Sequence, residues 1–107
     1  MKALLRDLFA HQAWADALHW RAIAATPPAL TDAAIRERLH HIHLVQRAFL
    51  AIESGAPLTR TSLADYPDLA ELEADARRYH DAAAAFIREV SEARLARICF
   101  TVPSATR

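Results

Sequence analysis

The sequence predicts an all-α fold, an up-down helical bundle of three long helices with a short extended segment at the C-terminal end. Three observations carry that prediction. The 107 residues hold 25 alanines against one glycine, Gly55, and alanine is the best helix former while glycine is among the worst. Apolar residues recur at alternating spacings of three and four in three long stretches, which is the period of one helix face. The breaks fall at Pro27-Pro28 and at Gly55 with Pro57, residues that stop helices.

The first helix is predicted from about Lys2 to Ala25, with Met1, Leu4, Leu8, His11, Ala15, Leu18, Ala22 and Ala25 as its core stripe. The second starts after Thr31 as N-cap, with Asp32 in the first turn, where its charge suits the helix dipole. Its apolar stripe is Ile35, Leu39, Ile42, Val45, Phe49 and Ile52, and Gly55 is placed as a left-handed residue just past its end. Residues 55–67 read as a loop. Asp68-x-x-Glu71 has the spacing of a capping box and opens the third helix. That helix carries Leu69, Leu72, Ala76, Tyr79, Ala83, Phe86 and Val90 on one face and ends near Ser91–Arg94. Beyond it, Arg97–Val102 alternates polar and apolar residues, the pattern of an extended segment before Pro103. Each stripe must be buried against another element. The third is thin in large side chains, so a fourth helix or a second subunit would bury the bundle better.

Composition excludes several function classes. The length supports one domain, residues 1–107. P-loop, dinucleotide-binding and nucleophile-elbow motifs need glycines that one Gly cannot supply. Thirteen basic and thirteen acidic residues give a net charge of zero, which argues against a nucleic-acid partner. A single cysteine, Cys99, forms no intramolecular disulfide and suits a reducing, cytoplasmic setting. The sequence shows neither a signal peptide, Arg6 and Asp7 breaking the N-terminal apolar residues, nor an apolar run of roughly 20 residues that would span a bilayer.

Histidine is the residue type that could carry chemistry, with six in the chain. Helical rotation turns His40 away from the apolar stripe of the second helix and sets His43 more than a quarter turn off it; as an i, i+3 pair they could hold a surface metal, but a solvated polar face is the better explanation. His41 lies at the edge of the stripe, on the side of Val45 and Ile52, and projects toward a half-buried crevice. It is either a boundary histidine satisfied by a carbonyl or water, or a metal ligand. His11 faces inward within the first stripe, as a hydrogen-bonded core residue or an additional ligand. Glu37, one turn before His41, is a candidate to hydrogen-bond its ring and orient it. Cys99 reads as an inert packing residue.

Two local patterns also resemble the DinB family, in the DinB/YfiT-like metalloenzyme superfamily. Helix 1 carries His11-Gln12-Ala13-Trp14-Ala15-Asp16, where the family has Trp-Ala-Asn. Helix 2 carries Leu39-His40-His41-Ile42 followed by Gln46 and Phe49, where the family reads Leu-x-His-Ile, then Glu and Trp. His41 matches the motif histidine, while Gln46 replaces the Glu and Phe49 the Trp. The resemblance implies a four-helix bundle holding a divalent metal, Zn, Ni or Fe, on three histidines. One is at the position of His41, with Gln46 as a further residue that could hydrogen-bond and orient it, and two form a His-x-x-x-His pair on the fourth helix. It implies a metal-dependent transferase or hydrolase that activates a thiol or a water toward an unidentified small molecule. No His-x-x-x-His occurs here, and the chain reaches Arg107 about where the fourth helix is expected. The metal site is therefore expected to be incomplete. The alternative is a non-catalytic bundle protein that works by association, with a homodimer as the expected form.

Overall fold

A computed structural model describes residues 1–100, the last two as backbone only. Helix is the only regular structure among these residues, as the composition predicts. The helices are α1 (Lys2–Ala24), α2 (Ala33–Ser54), α3 (Leu69–Glu89) and α4 (Glu92–Phe100), with short 3₁₀ turns at Pro27–Thr31 and Leu63–Asp65. None of the described helices is long and apolar enough to cross a membrane.

Local chemistry accounts for the ends of the elements. Pro27 and Pro28 open the first 3₁₀ turn, where their fixed φ is already suitable. Thr31 is absorbed into that turn, so Asp32, not Thr31, caps α2, its carboxylate accepting from the Ile35 amide at 2.9 Å. Gly55 takes φ 75°, the left-handed stop expected of it. Asp68 caps α3 by accepting from the Glu71 amide at 3.0 Å. Ser62 and Asp65 form a reciprocal capping box inside the region predicted to be loop.

The C-terminal prediction is corrected. Residues 97–100 are helical, not extended, and α3 ends before Ser91. Val90 turns to an extended conformation and Ser91 Oγ then accepts from the Arg94 amide at 3.0 Å, which starts α4. Leu95 packs with Ile87, Val90, Leu5 and Phe9. Cations finish the junction. Arg94 donates to the Ser54 carbonyl at 3.0 Å and Lys2 Nζ to the Arg88 carbonyl at 2.8 Å, each at a helix C-terminus where positive charge is favoured. The remainder of the predicted extended segment, and the side chain of Cys99, lie outside the described residues.

The helix directions follow from side-chain pairings. Lys2 meets Arg88, Gln12 meets Tyr79 and Asp16 meets His80, so α1 and α3 are antiparallel. Leu39 packs on Leu69 and Leu72, His43 bonds Asp75, and Arg47 approaches Asp75 as well, so α2 and α3 run parallel. Residues 55–68 carry the chain back along the bundle. The order is up-down-down, with α3 central and in contact with both neighbours.

The α3 stripe is buried as predicted, through Leu69, Leu72, Ala76, Tyr79, Ala83 and Val90, although Ile87 is deeper than Phe86. The stripes of α1 and α2 are not. Leu4, Leu8 and Leu18 of the first, and Ile42, Val45, Phe49 and Ile52 of the second, are exposed. The physical reason is that each helix has two usable faces. α1 presents Leu5, Phe9, Trp20 and Ile23 to α3, and α2 presents Leu39, His43, Leu50 and Ala51. The more apolar face of each then points away from α3. The radius of gyration, 15.7 Å, exceeds the ~13 Å expected of a compact domain of this length.

Candidate functional site

The rotation of α2 reverses the expected roles of its histidines. His43 is the buried one, 2% exposed, and His40 is half-buried, while His41 is exposed and does not enter a crevice. His11 is also exposed, not inward-facing, and stacks obliquely on Trp14. Glu37 is exposed, and Gln46 turns to α1, donating to Asp16 Oδ2 at 2.9 Å. The structure therefore does not bring His41, His11, Glu37 and Gln46 together. Among the described residues, no group of three His, Cys, Asp or Glu side chains is placed to hold a metal. The residues of one chain do not fit the three-histidine centre that the resemblance implies.

Two polar clusters occupy the inner seams instead. The first joins α2, α3 and the 55–68 connection. Asp75 Oδ2 accepts from the Tyr66 hydroxyl at 2.6 Å and from His43 Nε2 at 3.0 Å. Arg78 donates to the other oxygen, Oδ1, through Nε at 3.3 Å and Nη2 at 3.2 Å. Thr61 Oγ1 lies 3.2 Å from His40 Nε2 and extends the chain of contacts. Burial alone would push the Asp75 carboxyl up, but the hydrogen bonds from Tyr66 and His43 outweigh it and hold the group at about 2. Burial lowers His43, and the Asp75 hydrogen bond does not fully offset it. His43 is therefore neutral near pH 7. Its Nε2–H donates to the carboxylate, and Nδ1 is buried with no partner among the described residues. Burial and the Asp75 hydrogen bond raise Tyr66, so it stays a donor.

The second cluster ties all three long helices. Asp16 Oδ2 accepts from His80 Nε2 at 2.8 Å and from Gln46 at 2.9 Å. Burial opposes ionisation of Asp16, and these bonds lower its pKa despite that. Beside it, the Tyr79 hydroxyl donates to Gln12 Oε1 at 3.0 Å. Burial, reinforced by the charges of Asp16 and Glu53, pushes Tyr79 up to about 12. Asp16 and Gln46 are motif positions in the two stretches that carry the family resemblance, so those stretches meet in space.

An open cleft of about 390 Å³ lies beside the first cluster, between α2, α3 and residues 56–59. Asp75, Arg47 and Arg78 reach it from one side and Leu50, Leu58 and Phe86 form apolar wall. Sequence reasoning missed Asp75, Tyr66 and Arg47. The signal was present: Arg36, His40, His43 and Arg47 recur at helical spacing, a second stripe that reads as solvated until α3 supplies its partners.

The class defined by these features is an all-α bundle with a polar inner seam and an uncovered apolar outer face. In comparisons with known proteins, no family model, no curated protein and no solved structure matches the chain.

Proposed function

We propose that this chain is a helical-bundle association module that works as a homodimer, each copy laying the outer face of α1 and α2 on the other. One observation carries the reading. Between residues 8 and 20 and between residues 39 and 52, the only Asp, Glu, Lys or Arg side chains are Asp16 and Arg47. Both turn inward, Asp16 to His80 and Arg47 to the cleft. The outer faces are left to Leu8, Trp14, Leu18, Ile42, Val45, Phe49 and Ile52, all exposed. Ile42 lines a small cavity with Asp16, His19 and Trp20, which sets it at the α1/α2 seam and makes the two stripes neighbours.

These side chains, with Leu4, expose on the order of 800 Å² of mostly apolar surface, about what each partner gives to a standard interface. The largest apolar patch of an ordinary monomer is roughly 300–600 Å². A face without charges is the composition of an interface centre. A second copy is the occupant that needs no further chemistry: a twofold axis sets the α1 stripe of one protomer on the α2 stripe of its partner, an isologous contact.

The test is the solution mass at micromolar concentration. Light scattering should give twice the 11.9 kDa chain mass, and Phe49→Glu should give the chain mass with unchanged helical circular dichroism. A wild-type monomer would overturn the reading. Calorimetry with Zn²⁺ and Ni²⁺ separates it from the metal-dependent reading. Stoichiometric binding lost in His41→Ala would replace association as the primary role.

A further inference from the structure

We infer that the cleft between α2, α3 and residues 56–59 is a binding site for a small amphipathic monocarboxylate, with Arg47 as the group that receives the carboxylate. The observation is a guanidinium that lines the cleft with only a long ion pair and no hydrogen bond among the described residues. The Arg47 side chain is three-quarters covered, at 26% exposed. Among the described residues it makes no hydrogen bond, and its nearest carboxylate oxygen, Asp75 Oδ2, is 3.9 Å away. That oxygen is already engaged by Tyr66 and His43, and the other is engaged by Arg78. Asp75 is thus saturated and Arg47 keeps its planar fork of donors for something else. Arg47 lines the open cleft, and a guanidinium fork matches a carboxylate in two parallel bonds.

The surroundings narrow the ligand. The charged side chains lining the cleft are Arg47, Arg78 and Asp75, a surplus of one positive charge. A monoanion balances that surplus, whereas a phosphate dianion would exceed it and face the Asp75 carboxylate. The Leu50, Leu58 and Phe86 side chains favour an apolar tail over a polar one. The volume, about 390 Å³, lies at the small end of ligand pockets. The chemistry that fits is a carboxylate carrying a short aliphatic or aromatic tail. The Asp75 network acts through position: by hydrogen-bonding Arg78 and holding Arg47 only at 3.9 Å, it sets the charge of the cleft. This inference stands on the inner side of the bundle and is independent of the association proposed above.

Sodium octanoate is the probe. It is titrated into the full ¹⁵N-labelled chain, and the amide shifts are mapped. The expected result is saturable shifts at Leu50, Ala51, Leu58 and Phe86, with binding weakened about tenfold or more in Arg47→Gln, as expected for loss of a charge-assisted hydrogen bond. Neutral 1-octanol on the wild-type chain should bind weaker by about the same factor. Inorganic phosphate should bind more weakly than octanoate. Shifts confined to Leu8, Trp14 and Phe49 would mean that the probe only coats the outer face, and would overturn the inference. So would equal binding by octanoate and octanol, or no saturable binding. The octanol comparison needs no variant, so the inference remains refutable if Arg47→Gln fails to fold.

Discussion

Tyr66→Phe removes one oxygen atom from the centre of the polar seam. The Tyr66 hydroxyl donates to Asp75 Oδ2 at 2.6 Å, the shortest of the bonds that carboxylate accepts. Asp75 is held at about 2 against an ordinary 3.8, a difference worth on the order of 2 kcal/mol. Tyr66, His43 and Arg78 share that stabilisation, with Tyr66 the leading contributor. Losing it should raise the Asp75 pKa and cost on the order of 1 kcal/mol of folding stability near neutral pH. The sign follows from a depressed acid. The stabilisation is complete above the unfolded value and disappears as pH falls through the folded value. The deficit of the variant should therefore be full above about pH 5 and fade toward pH 2. Carboxyl ¹³C titration gives the pKa, and urea unfolding followed by circular dichroism gives the stability. The two changes must agree by linkage. A wild-type Asp75 titrating near 3.8, or a variant in which its pKa does not move, would refute the argument.

Other substitutions test the packing and the turn. Leu72 is fully buried where Tyr66, Leu69, Trp20, Ile23 and Leu39 converge, so Leu72→Ala should cost about 2–5 kcal/mol in urea unfolding; a loss under about 1 kcal/mol would mean that this junction is not sealed. Gly55 has φ 75° and nothing within 4 Å of an added Cβ, so Gly55→Ala should cost about 1–2 kcal/mol through backbone conformation alone. Gly55→Asn should cost less, because Asn tolerates that region, and equal costs would point to a steric cause instead.

The helices were legible in the sequence because their punctuation is local. Pro27-Pro28, Gly55 and Asp68 act on their own neighbours, and each stops or starts a helix where its chemistry says it should. The α3 stripe was legible because that helix has one apolar face. α1 and α2 were ambiguous, since each carries two faces able to pack, and periodicity ranks faces by apolarity alone. The winning face of α2 contains His43, which can be buried because Asp75 answers it from 32 residues away, with Tyr66 on the same carboxylate. Such pairing is tertiary information. The same error of phase moved His41 and His11 outward and hid the cleft. α4 was missed for a smaller reason: Ser91 is a good cap, but the alternation after it looks like a strand over so short a span.

The outer stripes then have an energetic consequence that a single mass measurement does not capture. A fold that leaves its most apolar faces in water gains stability when they are covered, and for a homodimer that gain depends on concentration. Each tenfold rise in concentration adds about 1.4 kcal/mol per dimer to the unfolding free energy. Two chains of 107 residues have an unfolding entropy near 0.45 kcal/mol/K, so the thermal midpoint should climb by about 3 °C per tenfold concentration. Phe49→Glu should abolish that slope, because a charge on the central outer position must be desolvated for the faces to meet. Calorimetric scans over a hundredfold range of concentration measure it directly. A wild-type midpoint that stays constant over that range would show that water, and not a second copy, is the permanent neighbour of Leu8, Trp14, Phe49 and Ile52.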